Sequence, residues 1–225
     1  MPKIVVLSLG GSLIVPGSYD TDFLRKFKKL IESYVKKGYK FAIICGGGKL
    51  ARNIQEAASE ISKISDEDLD WLGIYATRLN ALLLRYIFGT NTQDPIIANP
   101  NDKLVFKKNI IIASGWIPGW STDYDAVLLA KNLGAREVIN MSNIDYLYNK
   151  DPKKHSNAKK IERIGWGDFR KMVGTKWKAG LSVPFDPIAA KEAQESGIRV
   201  NIIGKDLGNL KNLLEGKKFK GTSIQ

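Results

Sequence analysis

A chain of 225 residues with 44% hydrophobic and 26% charged residues has the make-up of a folded globular protein, which excludes wholesale disorder. With Cys45 its one cysteine and His155 its one histidine, a disulfide framework and a zinc site built on those residue types are excluded as well. The net charge is +12, and the C-terminal third carries 16 basic against 8 acidic side chains; this fits a solvated surface and attraction of polyphosphates better than dedicated nucleic-acid binding, because KKHSNAKK (153–160) and KKFK (217–220) lack interleaved aromatics for base stacking.

IVVLSL (4–9) is a short β-branched run ended by Gly10, Gly11 and Ser12, the pattern of a buried strand entering a tight loop. Phe23, Phe27, Leu30, Ile31, Tyr34 and Val35 recur at helical spacing, with Gly38 as the stop. A second strand is expected at 39–45, closed by Gly46, Gly47 and Gly48. The helix after it carries Leu50, Ile54, Ala57, Ala58 and Ile61 on one face. A third helix, 69–88, shows Leu72, Tyr75, Leu79, Leu82, Leu83 and Tyr86 on its apolar side, and 89–102 reads as loop. Then come a strand at 109–113, a glycine-containing loop from Gly115 to Thr122, a helix at 123–133 and a strand at 136–141. Residues 143–160 are polar and turn-rich. Asp186 and Pro187 open a helix that closes at Gly197, followed by a strand at 198–203 and a last short helix.

Strands alternating with helices predict an α/β fold: a three-layer sandwich with a mainly parallel central sheet and helices on both faces. One domain spanning 1–225 is expected, with two lobes, roughly 1–135 and 136–225. No apolar run reaches the roughly 18–20 residues that cross a bilayer, and the start lacks the features of a secretory leader. A cytoplasmic protein without a membrane partner is the expectation.

Three glycine-rich loops follow three strands, at 10–12, 46–48 and 115–119. In an open α/β sheet such loops lie where ligands bind, and their N–H groups suit phosphate. Each is weak alone, since glycine is an ordinary turn residue. Known phosphate fingerprints do not fit: Leu50 follows Gly48 and Lys49 where a Walker A loop needs Ser or Thr, no loop reads GxGxxG, and no HRD or DFG set occurs. His155, in a lysine-rich stretch, is a poor partner for a serine nucleophile.

GGGKLAR (46–52), DWLGIYATRLNALLL (70–84), GWIPGWSTD (115–123), SNIDYLYNKDP (142–152) and FDPIAAKEAQESGIRVNIIG (185–204) resemble the amino acid kinase superfamily. In order and spacing they are most similar to its archaeal type of uridylate kinase. The resemblance runs from Gly10 to the final GTSIQ. It implies transfer of the γ-phosphoryl group of ATP to UMP, with Mg²⁺ carried mainly by the nucleotide, no dedicated protein metal site, and a homo-oligomer, usually a hexamer.

Residue by residue, the resemblance gives Gly10, Gly11 and Ser12 the transferring phosphates, Gly47 the UMP phosphate, and Gly48 and Arg52 the ATP side. It gives Asp70 the UMP ribose and Trp116, Ile117, Pro118, Gly119, Trp120, Ser121 and Thr122 the enclosure of UMP. Ser142, Asn143, Tyr148 and Asp151 match the adenosine pocket. Arg52, Asp123 and Asp186 form the expected catalytic set, although Asp186 reads equally well as a helix cap. Lys176 and Lys178 are further candidate cations. Three departures stand out: Ser8 where many members place Lys, Trp116 and Trp120 in the UMP loop, and Tyr146 where the family has Gly. Two other readings stay open: a superfamily kinase for another acceptor, such as isopentenyl phosphate or an acylamino acid, and a non-catalytic nucleotide-binding or assembly protein.

Overall fold

The computed structural model describes residues 2–150, 155–174 and 184–225. Asp151, Lys176 and Lys178 therefore lie outside the described residues. The chain runs β1 (Ile4–Leu9), α1 (Gly11–Ile14), α2 (Thr21–Val35), β2 (Lys40–Cys45), α3 (Gly48–Ile61), α4 (Asp66–Phe88), β3 (Ile110–Ala113), α5 (Thr122–Asn132) and β4 (Glu137–Met141). It continues through β5 (Leu147–Tyr148), β6 (Lys160–Ile161), β7 (Arg163–Ile164), α6 (Trp166–Val173), α7 (Pro187–Glu195), β8 (Arg199–Ile203), α8 (Leu207–Leu214) and β9 (Thr222–Ile224).

The main sheet has seven strands in the order β3-β2-β1-β4-β8-β9-β7. All its pairings are parallel except β8 with β9. A separate antiparallel pair, β5 and β6, occupies the polar stretch after β4. The parallel strands are buried on both faces, which is why they read as unbroken apolar runs. Alternation then sorts their side chains. Val5, Leu7 and Leu9 join a core with α1, α2, α4 and α8, while Val6, Ala42 and Ile44 join a core with α5, α6 and α7 on the other face. This is the expected three-layer sandwich.

The sequence pattern for α4 misplaced its buried face, and the apolar face expected on α3 is covered only in part, with Leu50, Ile54 and Ala58 half-buried and Ala57 and Ile61 exposed. α3 has no buried residue, and Ile61 is 84% exposed. On α4 the inward face is Ile74, Thr77, Asn80, Ala81, Leu84 and Phe88. Tyr75, Leu79, Leu82 and Tyr86, expected inside, are 57%, 53%, 40% and 68% exposed. A hydrophobic stripe looks the same in sequence whether it meets its own core or another surface, and here two polar residues hold the inner face. Two further elements lacked a clear pattern: α6 is short, and β9 is a three-residue strand that forms only by pairing with β8 and β7.

Candidate active site

β1 is followed by β2 and β3 on one side and, later in the chain, by β4 on the other. The strand order thus reverses between β1 and β4, and ligands of open α/β sheets bind outside the carboxyl ends of the strands at such a switch. The loops at 10–12, 46–48, 114–121 and 142–143 all leave from these ends, so the sheet itself gathers the sequence candidates. A groove of about 790 Å³ lies at the opposite ends of the strands, lined by Lys3, Arg136, Arg163, Arg199, Lys217 and Lys218 among others. Four of the 16 basic side chains of the C-terminal third, Arg163, Arg199, Lys217 and Lys218, line it, away from the glycine loops.

The first two glycine loops interlock. A Cβ on Gly11 would lie 2.0 Å from the Gly48 nitrogen, and one on Gly48 would lie 2.2 Å from the Gly11 carbonyl oxygen. Gly48 also has φ +65°, a conformation L side chains rarely adopt. The Gly10 N–H donates to the Met141 carbonyl at 2.8 Å, and Gly46 N–H to that of Leu9 at 2.9 Å, so both loops are tied to the strand ends. Arg52 is exposed, one turn into α3.

The floor beneath them is polar by strand register. Ser8 and Asn140 are paired positions on β1 and β4, on the same sheet face as Val6 and Val138, and both point at the start of α5. Ser8 Oγ donates to Asp123 Oδ1 at 3.3 Å, Asn140 Nδ2 to the same oxygen at 2.8 Å, and the Asp186 N–H to Asp123 Oδ2 at 3.3 Å. Asp123 is enclosed by neighbours yet keeps some solvent contact. Burial first, and then the Asp186 charge, push its carboxyl up to about 7. Asp186 is buried and also raised, mainly by burial. Its carboxylate caps α7 by accepting from the N–H groups of Ile188 and Ala189, so the cap reading holds alongside any role toward ligand.

The loop at 115–122 is anchored at four points. Gly115 N–H donates to Thr77 Oγ1 at 2.8 Å, Trp116 N–H to Asp125 Oδ2 at 3.2 Å, and Gly119 N–H to Asp70 Oδ2 at 2.8 Å. Ser121 caps α5 by accepting from the Tyr124 N–H at 3.2 Å. Trp120 stacks on Tyr124, ring centroids 4.3 Å apart and planes 17° apart, so one of its faces is already covered. Trp116, Ile117, Pro118 and Thr122 are half-buried in the same loop. On the other side of the switch, Ser142 and Tyr148 are half-buried and Asn143 is exposed. Tyr146 lies under the Lys160 ammonium, 4.9 Å from ring centre to nitrogen.

Thr77, Asn80 and Asn140 were absent from the sequence candidates. The available signal was a polar residue inside a buried run: Asn140 within EVINM, Thr77 and Asn80 within a leucine-rich helix. Among the described residues no group of three or more His, Cys, Asp or Glu is placed to hold a metal ion.

Known proteins bear on this arrangement. The model for the amino acid kinase family matches residues 3–204. A uridylate kinase of Thermoplasma volcanium is 35% identical over all of this chain and 99% of its own length. One from Pyrococcus abyssi is 36% identical, covering 98% of this chain and 99% of that protein. The crystal structure of uridylate kinase from Archaeoglobus fulgidus superposes with a TM-score of 0.84 at 32% identity, covering 99% and 100% of the two chains.

Proposed function

Because the chain belongs to the amino acid kinase family, we propose that it is a uridylate kinase, transferring the γ-phosphoryl group of ATP to UMP to give ADP and UDP. The observation that carries this reading is the meeting of the interlocked glycine loops at the β1/β4 switch, in a chain alignable end to end with uridylate kinases.

An oxygen of the UMP phosphate forms a bond to the γ-phosphorus, and the bond from that phosphorus to the bridging oxygen of ADP breaks. The attacking oxygen is already ionised at neutral pH, so no strong general base is required. The work of the site is to bring two polyanions together in line. Gly11 and Ser12 offer N–H groups to the transferring phosphates, beside Gly10, whose own N–H is tied to the Met141 carbonyl; Gly47 offers its N–H to the UMP phosphate, and Gly48 with Arg52 serves ATP. Asp70 holds the UMP ribose, and residues 116–122 close over UMP. Ser142, Asn143, Tyr148 and Asp151 take adenosine. The acceptor half is then roughly 1–135 and the ATP half roughly 136–225.

Asp123 ties Ser8, Asn140 and the start of α7 into one floor under the phosphates. Mg²⁺ would enter on the ATP phosphates, and the two carboxylates at the floor, Asp123 and Asp186, are hard oxygen donors suited to it. When bound it would neutralise phosphate charge. A homo-oligomer, with the hexamer of the family as the expectation, is supported by the exposed stripe Tyr75, Leu79, Leu82 and Tyr86 on α4. No helix among the described residues is long and apolar enough to cross a membrane, and a cytoplasmic location goes with this reading.

The test is coupled ADP release with UMP, CMP, dTMP, isopentenyl phosphate and N-acetylglutamate as acceptors. Turnover with UMP is expected. Preference for another acceptor would move the chain to another branch of the family, and no ADP with any of them would overturn the kinase reading.

A further inference from the structure

Asn80 lies in the middle of α4 with no solvent exposure, a costly place for a primary amide, and of its polar atoms only the NH₂ group is used, Oδ1 having no partner among the described residues. Its Nδ2 donates twice, to the carbonyl oxygen of Gly46 at 2.8 Å and to that of Gly47 at 3.2 Å. These acceptors belong to consecutive peptide units. A trans peptide is planar, so its C=O and the N–H of the next residue point in opposite directions. Drawing the Gly46 and Gly47 carbonyls toward α4 therefore turns the N–H groups of Gly47 and Gly48 away from it. Those two N–H groups sit at the start of α3, where a helix leaves its first donors unpaired. Neither donates to a protein acceptor among the described residues.

Glycine peptides do not hold such an orientation by themselves, because without a Cβ both faces of the peptide are accessible. The neighbouring contacts restrict them only in part. Gly48 is pressed against Gly11, and a Cβ on Gly47 would meet that of Ala51 at 2.6 Å and the Thr77 methyl at 3.7 Å. The Gly46 carbonyl is held by the amide of Asn80, and that of Gly47 by Asn80 together with the Ala51 N–H of α3 at 3.4 Å. Thr77, one turn earlier on the same face, uses its hydroxyl to hold the Gly115 N–H at the start of the UMP loop.

We propose that Asn80 is a positioning residue for phosphate recognition: it sets two successive glycine peptides so that the Gly47 and Gly48 N–H groups are presented as a preformed anion cradle, the Gly47 donor to the phosphate of UMP. The proposal rests on the uridylate kinase reading and deepens it, naming the device that lets the site tell a nucleotide from its nucleoside.

The test compares UMP with uridine, which lacks the phosphate, by calorimetric titration of the wild type and Asn80→Ala. In the wild type UMP should bind far tighter than uridine. In Asn80→Ala that advantage should shrink by about ten- to a hundredfold, the range for losing hydrogen bonds to a charged group, while uridine affinity stays within about twofold. A residue that merely stabilised the helix would lower both affinities together. Equal losses for UMP and uridine, or an unchanged ratio, overturn the proposal, as does a wild type with no preference for UMP over uridine. If Asn80→Ala does not fold, Asn80→Ser serves: its short hydroxyl reaches at most one carbonyl, so the ratio should fall in the same direction by less. ADP release from UMP by the wild type is scored separately, so failure of the cradle is distinguishable from failure of the kinase reading.

Discussion

Replacing Asp123 with Asn should make the ligand-free protein more stable at pH 8, less stable at pH 4, and a poorer kinase. Burial and the nearby Asp186 raise the Asp123 carboxyl from 3.8 to about 7. The folded state therefore binds this proton more tightly than the unfolded chain does. Well below pH 4 the group is neutral in both states and no penalty exists. As pH rises from 4 through 7 the unfolded chain ionises first, and stability falls until the folded group ionises too. A shift of that size corresponds to at most about 4 kcal/mol, reached above pH 7. Some of this is screened, since the carboxyl retains solvent contact. Asn removes the charge but not the shape. With its oxygen accepting from Ser8 and Asn140, its NH₂ faces the Asp186 N–H, a donor against a donor. That mismatch costs about 1–3 kcal/mol at every pH.

The net expectation at pH 8 is a gain of about 2 kcal/mol, a rise of roughly 4–8 °C in Tm for a chain of this size. At pH 4 only the mismatch remains and Tm should drop below that of the wild type. Asp125 and Asp186 are raised in the same direction and stay in both proteins, so the difference between the two melting curves reports Asp123 together with its coupling to them. Thermal melts of both proteins from pH 4 to pH 8 supply that difference, and ADP release at pH 8 supplies the activity. Turnover should fall at least about tenfold, as expected where a destabilising group is kept for function. A Tm difference that does not change sign with pH would refute the titration argument. A stabilised variant with full turnover would show that Asp123 takes no part in the reaction.

Arg52→Ala should lower turnover and weaken ATP while leaving Tm nearly unchanged, because an exposed side chain carries little stability; parallel losses of Tm and activity would assign it a structural part instead. Asp70→Asn should weaken UMP by about ten- to a hundredfold with ATP affinity unaffected, read by calorimetry; loss of affinity for both nucleotides would mean that Asp70 acts only by anchoring Gly119. Leu79→Glu combined with Leu82→Glu should yield a smaller particle by light scattering without unfolding, since both side chains are exposed within one chain; an unchanged particle mass would remove α4 from the subunit contact.

The fold was legible because buried parallel strands and their glycine exits are local signals. IVVLSL, KFAIIC, IIIA, EVINM and RVNII carry their identity in a few consecutive residues. The faces of α3 and α4 were not legible in the same way. Periodicity reports that a helix has an apolar side, but which neighbour covers it is a property of the assembled molecule. β9 shows the same limit from the sheet side: TSI becomes a strand only because β8 and β7 present it with partners.

For the site, the gathering of the glycine loops at the strand ends was legible and the supports beneath them were not. Ser8, Asn140, Thr77 and Asn80 are single polar residues inside apolar runs, where a sequence reading sees only an interruption. Their meaning comes from register and from the helical turn. Ser8 and Asn140 converge on Asp123 because β1 and β4 pair at those positions, and Thr77 and Asn80 reach two loops because they lie one turn apart on the inner face of α4. The same geometry bears on Ser8 as a departure from the family. A lysine there would set a cation beside Asp123, whereas serine leaves two raised carboxyls, Asp123 and the buried Asp186, with no basic partner among the described residues. Where Asp123 is ionised, such a floor disfavours phosphate until positive charge arrives. Under the proposed reading that charge comes with the nucleotide, or from Arg52 and the N–H groups of the glycine loops above, which would make the orientation of those peptides, and so Asn80, more consequential here than in a site with its own lysine.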